Sequence, residues 1–134
     1  LLHRGRPRAG FAKEDLLRSV TDGGLDMNNP FASCIQACSA CAIACETCAS
    51  ACLREDNVSM MADCIRMDRD CADLCRLAET LMTRQSDLAK EICRLCAQAC
   101  RACAEECARH DHDHCQQCAQ ACQRCAEECE AMAA

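Results

Sequence analysis

The sequence predicts an all-α fold, an antiparallel up-down-up-down four-helix bundle with a cysteine-lined core, and three observations carry that expectation. Cysteine recurs at alternating steps of four and three residues, which is the seam of a helix and cannot be that of a strand. Turn signals divide the chain beyond residue 28 into four stretches, each about 20 residues or about 30 Å as a helix. Glycine and proline number only 4 and 2, so the loop-rich disulfide scaffold that 19 cysteines would otherwise imply is disfavoured.

Asn29 and Pro30 supply a cap and a first-turn proline for a helix over about residues 30–53. The polar run Arg54 to Ser59 breaks it from a second helix over about 59–83. Ser86, in the break Thr83 to Asp87, is the expected N-cap of a third helix over about 87–109. His110 to Asp113 separates this from a fourth over about 113–131, where Asp113 and Gln116 have the spacing of a capping box. The short connections make sequential helices antiparallel.

Residues 1–28 form a basic N-terminal extension with Arg4, Arg6 and Arg8, one short amphipathic turn at Phe11, Leu16, Leu17 and Val20, and Gly23-Gly24. It is expected to be flexible or weakly docked, leaving 29–134 as the single folded domain.

The first helix carries Cys34, Cys38, Cys41, Cys45, Cys48 and Cys52 at every a and d position of a heptad. The third repeats the pattern at Cys93, Cys96, Cys100, Cys103 and Cys107, and the fourth at Cys115, Cys118, Cys122, Cys125 and Cys129. The second mixes Cys64, Cys71 and Cys75 with Met60, Met67, Leu74, Ala78, Leu81 and Met82, so it is expected to give more apolar packing and fewer ligands. Trp and Tyr are absent and Phe numbers 2, so sulfur itself must fill much of the interior. Alanines beside the seams, such as Ala37, Ala42, Ala97 and Ala126, let the helices approach closely.

The net charge is -6, and residues 27–134 hold 10 Lys and Arg against 17 Asp and Glu, a poor surface for nucleic acid. No membrane span is expected, since no stretch reads as about 20 apolar residues. The cysteine count is odd and turn residues are scarce, so the thiols read as reduced and the setting as cytoplasmic.

Side chains at i and i+4 have Cβ atoms about 5–6 Å apart, so two thiolates converge on one ion without bending the helix. Such clamps are Cys34/Cys38, Cys41/Cys45, Cys48/Cys52, Cys71/Cys75, Cys96/Cys100, Cys103/Cys107, Cys118/Cys122 and Cys125/Cys129, with Cys64, Cys93 and Cys115 left to join neighbours across the bundle. Cu(I) is soft and accepts two or three thiolates, whereas structural Zn²⁺ takes four in closed sets, so a continuous seam favours Cu(I). An ion held by two thiolates carries a charge of -1, and many such sites in one core would repel. Sharing thiolates brings the ratio toward about one ion per cysteine, where charge cancels. Before loading, burial should keep the thiols protonated, and uptake should release protons.

The topology gathers His110, His112 and His114 near Cys52, Met60, Met61, Cys107 and Cys115 at one end, a candidate mouth with weaker N and S ligands. Met82 and Met132 fall at the other end, where packing is the expected role. The nearest alternative is a general Zn²⁺ or Cd²⁺ sink that functions like a metallothionein. Iron–sulfur ligands come from converging loops, a di-iron site would need Glu-x-x-His, which is absent, and a thioredoxin-like motif needs an α/β setting. No catalytic constellation is present, and the chain reads as a non-enzyme.

Cys71-Ala72-Asp73-Leu74-Cys75, the repeated CxxxC of the other helices, and Arg109-His110 followed by His112-Asp113-His114-Cys115 together resemble the bacterial copper storage proteins of the cytosolic branch. The resemblance covers about residues 31–132. It implies a homotetramer of four-helix bundles that stores Cu(I) on all nineteen cysteines, with His110, His112 and His114 lining the metal entrance. Arg4 to Asp26 has no counterpart in the family pattern.

Overall fold

The computed structural model describes residues 24–134; the expectations for the extension over 1–23 lie outside the described residues. Four helices account for most of it: α1 Ala32–Cys52, α2 Ala62–Thr83, α3 Ala89–Ala108 and α4 Asp113–Ala133, with a 3-10 turn Val58–Met61 leading into α2. No strand occurs among the described residues. α1 packs on α2 and α4, α3 packs on the same two, and the diagonal pairs meet only through the core, as an up-down-up-down bundle requires.

The starts of the helices are built differently from the sequence expectation in three places. Asn29 is buried and reaches across the bundle, donating from Nδ2 to the carbonyls of Met82 (3.1 Å) and Thr83 (3.3 Å), while its Oδ1 accepts from the Phe31 amide at 2.8 Å. It thereby ties the start of α1 to the last carbonyls of α2, which have no partner within their own helix. The expected capping box of α4 is absent. His112 is the N-cap residue and Asp113 already lies in the helix, so Gln116 turns back instead and donates to the carbonyls of Ala108 (3.2 Å) and His110 (2.7 Å). Asp113 still places negative charge on the first turn, where the helix dipole favours it. Ser86 is not the N-cap of α3 either, since that residue is Leu88; its Oγ accepts from the Leu88 amide at 3.1 Å in the turn that leads into the helix.

α2 ends in a Schellman motif: Ser86 N donates to Leu81 O at 2.9 Å and Gln85 N to Met82 O at 3.0 Å, with Gln85 at φ 51. A side chain in this left-handed region is strained where glycine is not. Gln85→Gly should therefore stabilise the metal-free protein, by up to about 1 kcal/mol in chemical denaturation.

α1 corrects the reading that no segment has the composition of a membrane span. It runs 21 residues, and its best window has a mean hydropathy of 1.3. The score comes from cysteine and alanine that face the bundle core, whereas Gln36, Ser39, Glu46 and Ser50 lie on the outer side. Exposed ion pairs cross between helices, with Arg101 gripping Glu130 through two bonds of 2.9 Å; such pairs align α3 on α4 but add little stability.

Candidate metal centre

All nineteen cysteine side chains are buried, and none is more than 1% exposed. Every one is a free thiol. The closest sulfur pairs lie between helices, at 3.4 Å for Cys64 and Cys107 and 3.5 Å for Cys71 and Cys100. These are contact distances, far beyond the roughly 2.05 Å of a disulfide. Within helices six of the eight expected clamps close, at 3.9 Å for Cys41/Cys45, Cys48/Cys52, Cys96/Cys100, Cys118/Cys122 and Cys125/Cys129 and 3.8 Å for Cys103/Cys107, whereas Cys71 and Cys75 lie within 4.8 Å of each other as members of a larger set. Cys34 and Cys38 instead converge on Cys129, at 3.6 and 3.7 Å.

The sulfurs therefore make one lattice more than a row of separate clamps. Sets of four lie with all sulfurs within 4.8 Å of one another, among them Cys38/Cys96/Cys125/Cys129, Cys41/Cys71/Cys75/Cys100, Cys41/Cys45/Cys71/Cys122, Cys45/Cys103/Cys118/Cys122 and Cys48/Cys52/Cys64/Cys115. Cys41, Cys45, Cys71 and Cys122 each belong to two of these sets, which is the geometry that sharing of thiolates between ions needs.

Burial pushes the Cys52 thiol up to about 11, with the nearby Cys64 acting in the same sense, and burial likewise raises Cys115. Deeper in, hydrogen bonding with Cys125 holds Cys38 and Cys100 up, and with Cys103 holds Cys45 and Cys107 up, burial adding to each. Other thiols move the opposite way. Cys64 is drawn down to about 3, first by Cys107, and Cys96 to about 3, first by Cys100. Because neighbouring sulfurs share protons, the core titrates as one coupled set and not as nineteen separate thiols.

Asp68, absent from the sequence reading, lies in the middle of this lattice and is 0% exposed. Its Oδ1 accepts from Cys103 (3.1 Å), Cys118 (3.2 Å) and Cys107 (3.3 Å), and its Oδ2 from Cys64 (3.9 Å). Burial pushes its carboxyl up to about 10, helped by Cys118 and Cys103, so it is protonated at neutral pH. A clue was present in the spacing. Cys64, Asp68, Cys71 and Cys75 step by four, three and four, so Asp68 occupies a seam position where the other helices carry cysteine.

A folded-state pKa raised above the ordinary carboxyl value stabilises the fold below about pH 4, and that contribution is lost progressively as pH rises toward about 10. Relative to Asp68→Asn, the metal-free protein should lose about 1 kcal/mol per pH unit between pH 5 and 8 in urea denaturation. A constant difference across that range would show that the carboxyl is not held protonated.

At the end formed by the α1–α2 and α3–α4 connections, His114 joins the thiols. Its Nδ1 lies 3.4 Å from Cys115, 3.6 Å from Cys48 and 3.9 Å from Cys52, and its Nε2 meets Glu55 Oε1 at 3.0 Å. The carboxylate accepting at Nε2 fixes the tautomer that leaves the Nδ1 lone pair facing sulfur, the arrangement of a metal-ligating histidine and its outer carboxylate. Glu55 is held below the usual carboxylate range by the same bond. Nothing in the sequence spacing singled it out, because it approaches from another loop.

His112 stacks on His114 with ring centroids 5.2 Å apart, and its Nδ1 is 3.5 Å from Glu55. His110 is not aimed at the thiols; its Nε2 faces Glu106 at 3.4 Å. His110 and His112 line a cleft with Glu55, Asp56, Met60 and Met61. The two methionines differ, since the 3-10 turn buries Met61 while leaving Met60 71% exposed. Met60 therefore borders the cleft and does not enter the core.

The pattern of the family described as copper storage protein matches residues 27–134. A search of curated proteins returned no match. Among solved structures, the chain is similar to metal-free copper storage protein 3 from Bacillus subtilis, at 52% identity over 76% of this chain and 97% of that one, with a TM-score of 0.71. The Cu(I)-bound form of that protein aligns at 53% identity over 75% and 95%, with a TM-score of 0.73. A copper storage protein from Streptomyces lividans loaded with 10 copper equivalents aligns at 40% identity over 89% and 96%, with a TM-score of 0.76. With four helices, a core of buried thiols and a family match that spans the whole bundle, the chain belongs to the copper storage protein family.

Proposed function

We propose that the chain stores Cu(I) at high capacity on the thiolates inside its bundle, with the metal entering at the end that holds His114. The single observation behind this reading is the continuity of the sulfur lattice: nineteen reduced, buried thiols, with sulfurs shared between neighbouring four-atom sets. An ion placed in one set has thiolates in the next within reach, so ions can pass inward by exchange of ligands. Soft thiolates arranged for sharing favour Cu(I) over the closed tetrahedral sites of Zn²⁺. Each Cu(I) that enters displaces a thiol proton, so the core gains no net charge as it fills.

His114 Nδ1, with Cys48, Cys52 and Cys115, makes the first strong site inside the mouth, and His112 and Met61 border the approach to it. Reduced thiols in this number suit the cytoplasm. The bundle assembles as a homotetramer, for which the exposed Ile43, Leu77 and Leu95 supply apolar surface; light scattering should give about four times the chain mass of 14.6 kDa.

Anaerobic titration of the reduced protein with Cu(I) against a chromophoric chelator tests storage. Uptake on the order of one ion per cysteine, and at least about ten per chain, is expected. Saturation at one or two ions would rule out storage, and preferential filling with Zn²⁺ at equal competition would favour the general metal sink.

A further inference from the structure

The end of the bundle away from the histidines is closed by a sulfur that is not a cysteine. Along α2 the seam steps through Cys64, Asp68, Cys71, Cys75, Ala78 and Met82, so Met82 takes the last seam position. Its side chain is 0% exposed, and Cys93 of α3 donates its S–H to Met82 Sδ at 3.4 Å. Cys93 in turn neighbours Cys34 of α1 and Cys129 of α4, which are 3.6 Å from each other. One sulfur from each helix thus forms the final layer.

A methionine used only to fill space has no need to place its sulfur against a thiol. Here the backbone is also fixed, because the Met82 carbonyl accepts from Asn29 Nδ2 at 3.1 Å and from Gln85 N at 3.0 Å. The thioether is held where a flexible side chain would otherwise have many rotamers.

We propose that Met82 is a metal ligand: its thioether, with the thiolates of Cys93 and one of Cys34 or Cys129, binds the terminal Cu(I) at the blind end of the core. The proposal rests on the storage reading above. Binding replaces the Cys93 S–H···S contact with a Cu–S bond to each sulfur; one Cu(I) enters and the thiol protons leave to solvent. Thioether sulfur is soft, neutral and needs no deprotonation. It completes a third coordination position without adding the negative charge that a further thiolate would bring to a dead end, where no additional ion is available to neutralise it.

Selenium-edge X-ray absorption on selenomethionine-labelled, Cu(I)-saturated protein reads this contact directly. Met82 is one of 6 methionines, so a copper neighbour with an amplitude of roughly one per six selenium atoms is expected, and it should vanish in labelled Met82→Leu. The same variant should lose about one ion of capacity, because leucine preserves the packing volume but offers no lone pair. A saturated protein in which selenium sees no copper, or in which the copper neighbour survives Met82→Leu, overturns the inference and leaves storage intact. A protein that saturates at one or two ions overturns both.

Discussion

Serine in place of Cys38, Cys96, Cys125 and Cys129 together should unfold the metal-free protein, whereas alanine at the same four positions should leave it folded. These four buried sulfurs all lie within 4.8 Å of one another, with Cys38, Cys125 and Cys129 in contact at 3.6 to 3.9 Å. A hydroxyl sits on a shorter bond and cannot span those contacts, so each serine buries a poorly satisfied polar group at a cost of about 1–3 kcal/mol. Four of them approach the whole stability of a small domain, about 5–15 kcal/mol. Alanine removes the sulfur but introduces no polar atom. The alanine variant should fold with a helical circular dichroism spectrum and bind about four fewer Cu(I), at one ion per cysteine. A stable serine variant would mean that the core is wet, and an alanine variant with full capacity would mean that this layer holds no metal.

The mouth should respond to substitution just as unequally. His114→Ala is expected to slow Cu(I) uptake by about tenfold or more, with final capacity lowered by about one ion, because among the described residues it removes the one imidazole aimed at Cys48, Cys52 and Cys115. Glu55→Gln should weaken the same site by about 10-fold to 100-fold, by loosening the tautomer and the orientation of the ring. His110→Ala should change neither, since that ring faces Glu106. Stopped-flow uptake from a Cu(I)–chelator complex separates the three. Equal slowing by His110→Ala and His114→Ala would point to a diffuse cluster of imidazoles with no directed ligand.

The seam of thiols was legible because heptad spacing has one geometric solution: residues three and four apart on a helix face one side, and a face this rich in sulfur with few aromatics must turn inward. The bundle topology followed from the short connections. What the spacing left hidden depends on three-dimensional approach. Glu55 meets His114 from a different loop, 59 residues away in sequence, and no local pattern encodes that. The three histidines looked equivalent, yet Nδ1 of His114 faces sulfur while His110 turns to Glu106 at the end of α3, a difference of side-chain direction.

Asp68 and Met82 were hidden for another reason. Both stand in step with the cysteines of α2, but a carboxylate on an inward face contradicts the usual rule for charged residues, and methionine is easily taken for packing. Only the surrounding sulfurs, 3.1 to 3.9 Å from the carboxyl oxygens and 3.4 Å from the thioether, show what these positions do. The apolar composition of α1 misleads in the opposite direction, because hydropathy counts cysteine as oil-like wherever it points.

Copper-edge X-ray absorption of the fully loaded, reduced protein probes the thiolate lattice itself. A first shell of two to three sulfurs per copper, with only a trace of nitrogen, and short copper–copper vectors from shared thiolates are what this arrangement of side chains demands. A first shell dominated by nitrogen or oxygen, or isolated ions with no metal neighbour, would place the copper outside the sulfur core and contradict the account.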